Sequence, residues 1–104
     1  MPKAPVVHFT ISGFADCPYY RRAVELAEKA HALHPETITF NKVELSREKF
    51  HEHRQKILVE LGKSADSHKT CPLVYTTYRN QPRDYIGGCD DFTNFLKTEY
   101  NLEC

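Results

Sequence analysis

Apolar and polar positions follow two different periods along the chain, and the period changes from segment to segment. Four short segments are rich in β-branched and aromatic side chains, a composition that favours strands. These segments are residues 5–10, 37–45, 72–79 and 83–88. The sequence NQP at 80–82 lies between the last two and predicts a hairpin turn. Ser12 and Gly13 are predicted to lie in a loop after the first strand.

Three other segments carry apolar side chains at steps of three and four, the period of an amphipathic helix. These segments are residues 18–33, 47–61 and 90–100. Pro18 suits a first helical turn, where its missing N–H is not needed. The predicted inner face of the first helix consists of Ala23, Val24, Ala27, Ala30 and Leu33.

The element order is therefore β-α-β-α-β-β-α. A helical crossover between the first two strands requires them to be parallel, and the later hairpin adds an antiparallel pair. We therefore predict an α/β fold with a mixed four-stranded sheet and helices on both faces. A chain of 104 residues has the length of one domain, so residues 1–104 are predicted to form a single domain.

Composition narrows the classes of partner and compartment. Fourteen basic residues balance fourteen acidic ones, so no net charge favours nucleic acid or an anionic membrane. No apolar run is long enough to span a bilayer, and the first ten residues make a poor signal peptide. We therefore expect a cytoplasmic protein, in which four cysteines indicate thiol chemistry or a metal more than structural disulfides.

Cys17 is the first candidate for chemistry. The thiolate is the reactive form of cysteine, and the unpaired N–H groups and dipole at a helix N-terminus favour it. Cys17 has that position directly before Pro18. Arg21 and Arg22 would favour the thiolate further, whereas the adjacent Asp16 would oppose it. From this position alone, a reactive thiol and a loop cysteine without a role both stay open.

Two later segments have the features of a binding cleft. KTCPLVY at 69–75 brings a proline to the start of a strand. In YIGGCDDF at 85–92, two glycines allow a tight turn and a close approach of ligand to backbone. The N–H groups of Cys89, Asp90 and Asp91 then lie at a helix N-terminus and could hold a carboxylate. The alternative is a helix that is simply well capped by acidic residues in its first turn.

Taken together, these segments resemble the glutaredoxin family, which has a thioredoxin-like fold and uses glutathione. The Cys-Pro-Tyr-Cys active site of the family appears here as Cys17-Pro18-Tyr19-Tyr20. Its Thr-Val-Pro, with a cis proline, appears as Thr70-Cys71-Pro72, and its Gly-Gly-x-x-Asp turn appears at 87–91. The resemblance covers roughly residues 5–100.

The resemblance implies where glutathione would bind. Its sulfur would lie next to Cys17, its main chain would pair with the backbone of Cys71, and Lys69 could hold its glycine carboxylate. Its γ-glutamyl group would lie on the helix start near Asp90. The implied glutathione-binding set is Tyr19, Lys69, Thr70, Cys71, Pro72, Gly88, Cys89, Asp90 and Asp91.

Tyr20 stands where dithiol members of the family have their second cysteine, so the resemblance implies a monothiol enzyme. It would remove glutathione from glutathionylated or disulfide-bonded proteins through Cys17, as a monomer. The chain also lacks the lysine that the family usually has before this cysteine. The family normally has valine where this chain has Cys71, so Cys71 is a possible resolving thiol or a small core residue.

Two alternatives stay open. In the first, two chains would share an iron–sulfur cluster through Cys17 and two glutathiones, although the Cys-Pro-Tyr-Tyr sequence differs from Cys-Gly-Phe-Ser of the cluster-carrying branch. In the second, the fold is a binding module with weak catalysis. No further metal site is expected, because the pairs His31/His34 and His51/His53 lack metal-ligand spacing and are predicted to face solvent.

Overall fold

A computed structural model describes residues 6–64, 67–68, 71–78 and 81–101 of the chain. The described part contains four strands and three helices in the predicted order. They are β1 (Val7–Gly13), α1 (Pro18–Leu33), β2 (Ile38–Glu44), α2 (Arg47–Glu60), β3 (Leu73–Tyr78), β4 (Gln81–Gly87) and α3 (Cys89–Tyr100).

The four strands form one mixed sheet in the order β2-β1-β3-β4. Strand β1 pairs in parallel with β2 and antiparallel with β3, and β4 adds antiparallel to β3. The crossover through α1 therefore joins the one parallel pair of this sheet, as the sequence predicts. The α/β, thioredoxin-like fold is confirmed.

The two faces of the sheet bury separate apolar clusters. Helices α1 and α3 cover one face, where Phe92 of α3 packs edge-on against Phe9 of β1. Helix α2 covers the other face, where Phe50 and Leu58 pack against Leu73. The helices therefore lie on both faces, and Cys17 belongs to the cluster under α1 and α3.

Three details of the sequence-based prediction are wrong. Ser12 and Gly13 continue β1 because this central strand is paired on both sides, and the Ser12 hydroxyl donates to the carbonyl of Leu73 at 3.2 Å. Pro82 lies within β4 rather than in a turn, on an edge strand and next to the point where its register with β3 shifts between Thr76 and Thr77. Leu33, at the last turn of α1, is exposed.

The predicted solvent-facing histidines also differ among themselves. His51 is exposed, but His31 is half-buried and its Nδ1–H donates to the carbonyl of Ile38 at 2.6 Å. His53 is half-buried too, and burial, followed by the nearby Lys56, lowers its pKa. His34, the C-cap of α1, is half-buried as well, with its ring 5.8 Å from that of Tyr100. Helical periodicity missed these three histidines because they flank the apolar stripes rather than lying opposite them.

Candidate active site around Cys17

Cys17 occupies the N-cap position of α1. The chain turns just before the helix, where the Cys17 N–H donates to the carbonyl of Phe14 at 3.0 Å. The Cys17 carbonyl accepts the N–H of Arg21 at 3.2 Å and so begins the helical ladder. Pro18 follows at the first helical position, and the first turn contains no acidic residue. No side chain caps this end of α1, so its free N–H groups point toward the cysteine.

The segment that begins β3 lies against Cys17. The Cys17 thiol donates to the carbonyl oxygen of Cys71 at a sulfur–oxygen distance of 3.6 Å, although 54 positions separate the two residues. The peptide bond between Cys71 and Pro72 is cis. Only 6% of the Cys17 surface is exposed, whereas Cys71 is half-buried. The two cysteines therefore lie side by side at one end of the sheet.

Gly13 and Tyr20 hold the Cys71 side chain in this position. The ring of Tyr20 is almost fully buried and lies directly over Gly13. A methyl group at Gly13 would come within 2.5 Å of the Tyr20 ring and 2.9 Å of the Cys71 sulfur. Position 13 therefore has no room for any side chain, because it supports both the ring and the thiol.

Burial acts on the other two thiols near Cys17. It raises the pKa of Cys71 to about 12, and the hydrogen bond with the Cys17 thiol adds to the increase, while the Phe14 N–H and Arg54 oppose it. Burial also raises the pKa of Cys89, the first residue of α3. Both thiols are therefore protonated near neutral pH.

The start of α3 is capped by its own carboxylate. Gly87 has a positive φ of 128°, and its Cα lies so close to the Asp91 side chain that an added methyl group would overlap it. Asp91 accepts a hydrogen bond from the N–H of Gly88 at 3.4 Å. Asp90 is exposed and makes no such bond to Gly88. Both carboxylates are exposed, and of the two predicted acidic contacts it is Asp91 that caps the helix through Gly88.

His68 is a buried histidine that forms a hydrogen bond with the backbone of the Cys71–Pro72 segment. It is 8% exposed, and its Nε2–H donates to the carbonyl of Pro72 at 3.0 Å. Its Nδ1 lies 2.8 Å from the hydroxyl of Tyr85. Sequence reasoning missed His68, because a polar loop residue gives no periodic signal of burial.

A small, cation-rich pocket opens beside the Cys71 thiol. Its lining consists of Phe14, Arg47, Phe50, His51, Arg54 and Cys71. The Arg47 guanidinium lies 5.0 Å from the centre of the Phe14 ring. Arg54 lies 5.4 Å from the centre of the Phe50 ring and donates to Nδ1 of His51 at 2.7 Å. No sequence pattern indicates this pocket, because charged residues on a helix normally form a solvated face.

The other predicted binding residues differ in where they lie. Tyr19 is 60% exposed beside Cys17, and Gly88 and Cys89 begin α3. Lys69 and Thr70 lie outside the described residues, and so does the C-terminal cysteine. A larger cavity, about 620 Å³, lies between α3 and the β3–β4 hairpin, and none of the three described cysteines lines it.

Within residues 6–64, 67–68, 71–78 and 81–101, no group of three or more histidine, cysteine or acidic side chains could hold a metal ion. None of the three helices in that part of the chain is both long and apolar enough to cross a membrane.

Comparison with known families identifies the chain. Residues 8–104 match the family described as "Putative malate dehydrogenase 1B N-terminal domain". The chain belongs to this family. The match covers all seven helices and strands except the first residue of β1. No motif in the sequence indicates a family that is named for a dehydrogenase.

Two solved structures are similar to the fold of this chain. Reduced glutaredoxin from Escherichia coli has a TM-score of 0.65 and 25% sequence identity, covering 91% of this chain and 99% of that one. The oxidised form of the same protein has a TM-score of 0.64 with the same identity and coverage. No curated protein matched the sequence. The likeness in structure and sequence supports a role like that of a thiol–disulfide oxidoreductase.

Proposed function

We propose that this domain is a glutathione-dependent thiol–disulfide oxidoreductase that removes glutathione from proteins through Cys17. The observation that carries the proposal is the position of Cys17 at the uncapped start of α1, with its sulfur 3.6 Å from the Cys71 carbonyl. An uncapped helix start favours a thiolate. We expect the domain to act as a monomer in the cytoplasm, where glutathione is abundant and thiols stay reduced.

The cycle needs one protein sulfur. The Cys17 thiolate attacks the glutathionyl sulfur of a protein–glutathione disulfide, and the protein leaves as a thiolate that takes up a proton. A second glutathione thiolate then attacks the glutathionyl sulfur on Cys17. Oxidised glutathione forms, and Cys17 leaves as a thiolate ready for another turn. In one cycle the substrate protein's sulfur is reduced to a thiol, and one free glutathione is oxidised as it joins the transferred glutathionyl group in oxidised glutathione.

The surroundings of Cys17 suit an extended tripeptide that carries two carboxylates and one ammonium group. Backbone groups of Cys71 would pair with its main chain, and Tyr19 would form an exposed wall. The exposed Asp90 would meet its ammonium group. Its glycine carboxylate would lie toward Lys69 or the pocket that holds Arg47 and Arg54. Guanidinium groups bind carboxylates through paired hydrogen bonds, which suits this end of the ligand.

A glutathione-exchange assay tests the proposal. The substrate is a small glutathione mixed disulfide, and formation of oxidised glutathione is coupled to its reduction. The unmodified chain should turn over, Cys17→Ser should lose at least 100-fold in kcat/KM, and Cys89→Ala and Cys104→Ser should retain activity, because neither of these thiols takes part in the proposed cycle. Equal turnover by the Cys17→Ser chain would overturn the assignment.

The family match favours a second candidate, a binding module attached to a dehydrogenase. The matching family is described as the N-terminal domain of a malate dehydrogenase-type protein. The 104 residues contain only four glycines and no Gly-x-Gly-x-x-Gly sequence, the usual dinucleotide-binding fingerprint. As a binding module, the domain would bind a thiol or a neighbouring protein surface and would catalyse glutathione exchange only slowly. Saturable glutathione binding by calorimetry, with no turnover in the exchange assay, would identify it.

A further inference from the structure

Cys71 lies against Cys17. Its carbonyl oxygen accepts the Cys17 thiol at 3.6 Å, and the neighbouring Cys17 thiol is one of the groups that raise the pKa of the Cys71 thiol. Cys71 is half-buried, so it lies at the edge of the core rather than deep within it. The one-sulfur cycle described above makes no use of this second thiol.

We propose that Cys71 is the resolving thiol of Cys17, and that the two close to a disulfide that expels glutathione from Cys17 without a second glutathione. The inference rests on the proposed function, since its first step is the transfer of glutathione to Cys17. If Cys71 has this role, a chain with the monothiol sequence Cys-Pro-Tyr-Tyr has a dithiol site whose two cysteines come from distant segments.

The packing explains why the second thiol comes from position 71. Tyr20 occupies the place one helical turn after Cys17, and its ring fills the space over Gly13. The Cys71 sulfur lies against the same glycine, within 2.9 Å of where a methyl group would be. Gly13 and Tyr20 are therefore positioning residues for the Cys71 thiol. Cys89 is held differently, because the hydroxyl of Thr93 on its own helix donates to the Cys89 carbonyl at 2.9 Å.

The chemistry balances with oxidised glutathione as the oxidant. The Cys17 thiolate attacks one sulfur of oxidised glutathione, forms a Cys17–glutathione disulfide and releases one glutathione. Cys71 then loses its proton and attacks the Cys17 sulfur, and the second glutathione leaves with that proton. Two protein thiols are oxidised to one disulfide, and one oxidised glutathione is reduced to two glutathiones.

Charge around Cys71 favours this order of events. The groups that face its sulfur are the thiol of Cys17 and the ring of Tyr20 from α1, the Phe14 N–H, and Arg54 from α2. Burial and the Cys17 thiol raise the pKa of Cys71. Once glutathione occupies Cys17, that sulfur can carry neither a charge nor a proton. One cause of the raised pKa then disappears, and Cys71 becomes more reactive after the transfer to Cys17.

The experiment follows the fate of glutathione on the intact chain. Reduced protein receives oxidised glutathione, is quenched with acid, and is analysed by intact mass and peptide mapping without reductant. We expect the unmodified chain to lose two hydrogens, to show a 17–71 link, and to release two glutathiones per chain. Cys71→Val should instead accumulate glutathione on Cys17, and Cys104→Ser should behave like the unmodified chain.

Other results would overturn the proposal. An unmodified chain that stops with glutathione on Cys17 and a free Cys71 would exclude the resolving role while leaving the one-sulfur cycle intact. A 17–89 link, lost in Cys89→Ala, would assign that role to Cys89 instead. A chain that takes up no glutathione would refute both the pair and the proposed function. The unmodified chain decides the linkage by itself, so the test holds even if Cys71→Val does not fold.

Discussion

A buried cysteine lies at the start of both α1 and α3, and the two helix starts differ in their capping: Cys17 is the N-cap of α1, and Cys89 is the first residue of α3. Cys17 at α1 has no capping side chain, no acid in the first turn, and a thiol directed at the Cys71 carbonyl. Cys89 at α3 is followed by Asp90 and Asp91, and Asp91 bonds back to the N–H of Gly88. The sulfurs are close enough that a charge on Cys17 raises the pKa of Cys89.

The comparison shows that a cysteine at a helix start is not sufficient for reactivity. At α3 a carboxylate already uses the helix N-terminus, and a second thiolate beside Asp90 would be repelled. At α1 the same backbone groups are left for the thiol and for a ligand. We therefore propose that exchange chemistry takes place at the start of α1 rather than at that of α3.

The largest effect is expected from Tyr20→Cys, which gives α1 the Cys-x-x-Cys sequence that it lacks. Removing a ring that is 2% exposed leaves a cavity over Gly13, so the reduced variant should lose about 3 kcal/mol in the free energy of unfolding. Under oxidant it should form a 17–20 disulfide, detected as the loss of two hydrogens. Urea unfolding with and without reductant measures both effects.

Tyr20→Phe is the matched control for that variant. It keeps the ring over Gly13 and removes only the hydroxyl, so we expect a loss of less than about 1 kcal/mol. A Tyr20→Cys chain in which positions 17 and 20 stay unbonded in oxidant would show that α1 does not begin at Pro18.

The next effect concerns the backbone at the start of α3. Gly87→Ala forces a side chain into a conformation with φ of 128° and into contact with Asp91, and should cost about 2 kcal/mol. Gly88→Ala, at a φ of −91°, should cost less than about 1 kcal/mol. Thermal unfolding of the two variants measures the difference. Equal stability would contradict the turn geometry described for this end.

The neighbouring pair Asp90→Asn and Asp91→Asn separates binding from capping. Asp91→Asn should lower the free energy of unfolding by about 1 kcal/mol, because it weakens the bond to the Gly88 N–H. Asp90→Asn should leave stability unchanged and weaken glutathione binding roughly tenfold, because the proposed ammonium contact loses its charge. Calorimetry with glutathione and chemical unfolding measure the two quantities. If Asp90→Asn lowered stability and Asp91→Asn weakened glutathione binding, the capping role would belong to Asp90 and the binding role to Asp91.

The smallest effect is a pH dependence of thiol labelling. Burial raises the pKa of Cys71 to about 12 and that of Cys89 above its ordinary range, so both thiols should resist iodoacetamide near pH 8. Their labelling rates should rise with pH up to these raised pKa values. Peptide mass spectrometry over a pH series follows each cysteine separately. Fast labelling of Cys89 at pH 7 would contradict the difference between the two helix starts.

Much of this architecture could be predicted from the sequence because periodicity and turn residues report on local structure. The helix predicted at 18–33 is α1, and the order of strands determined the parallel crossover. Pro18 and the two glycines before Cys89 marked the helix starts that frame the cleft. The errors at Ser12 and Pro82 arose where pairing with neighbouring strands, rather than local preference, sets the strand limits.

The remaining features of the site depend on contacts between distant segments, which no local pattern records. The packing of Tyr20 on Gly13 beside the Cys71 sulfur joins three elements. The burial of His68 depends on Tyr85, 17 positions away. The cationic pocket arises because α2 crosses the end of the sheet next to Phe14. Family membership was equally hidden, since the motifs resemble glutaredoxin more than any dehydrogenase.

A single-turnover transfer experiment tests the central claim most directly. Reduced protein is mixed with an equimolar glutathionylated peptide, quenched with acid at early times, and mapped to find which cysteine carries the glutathione. The account predicts that glutathione appears first on Cys17, that one peptide thiol is released for each chain modified, and that Cys17→Ser shows neither event. Glutathione appearing first on Cys89 or Cys71, or transfer at the same rate in Cys17→Ser, would contradict it.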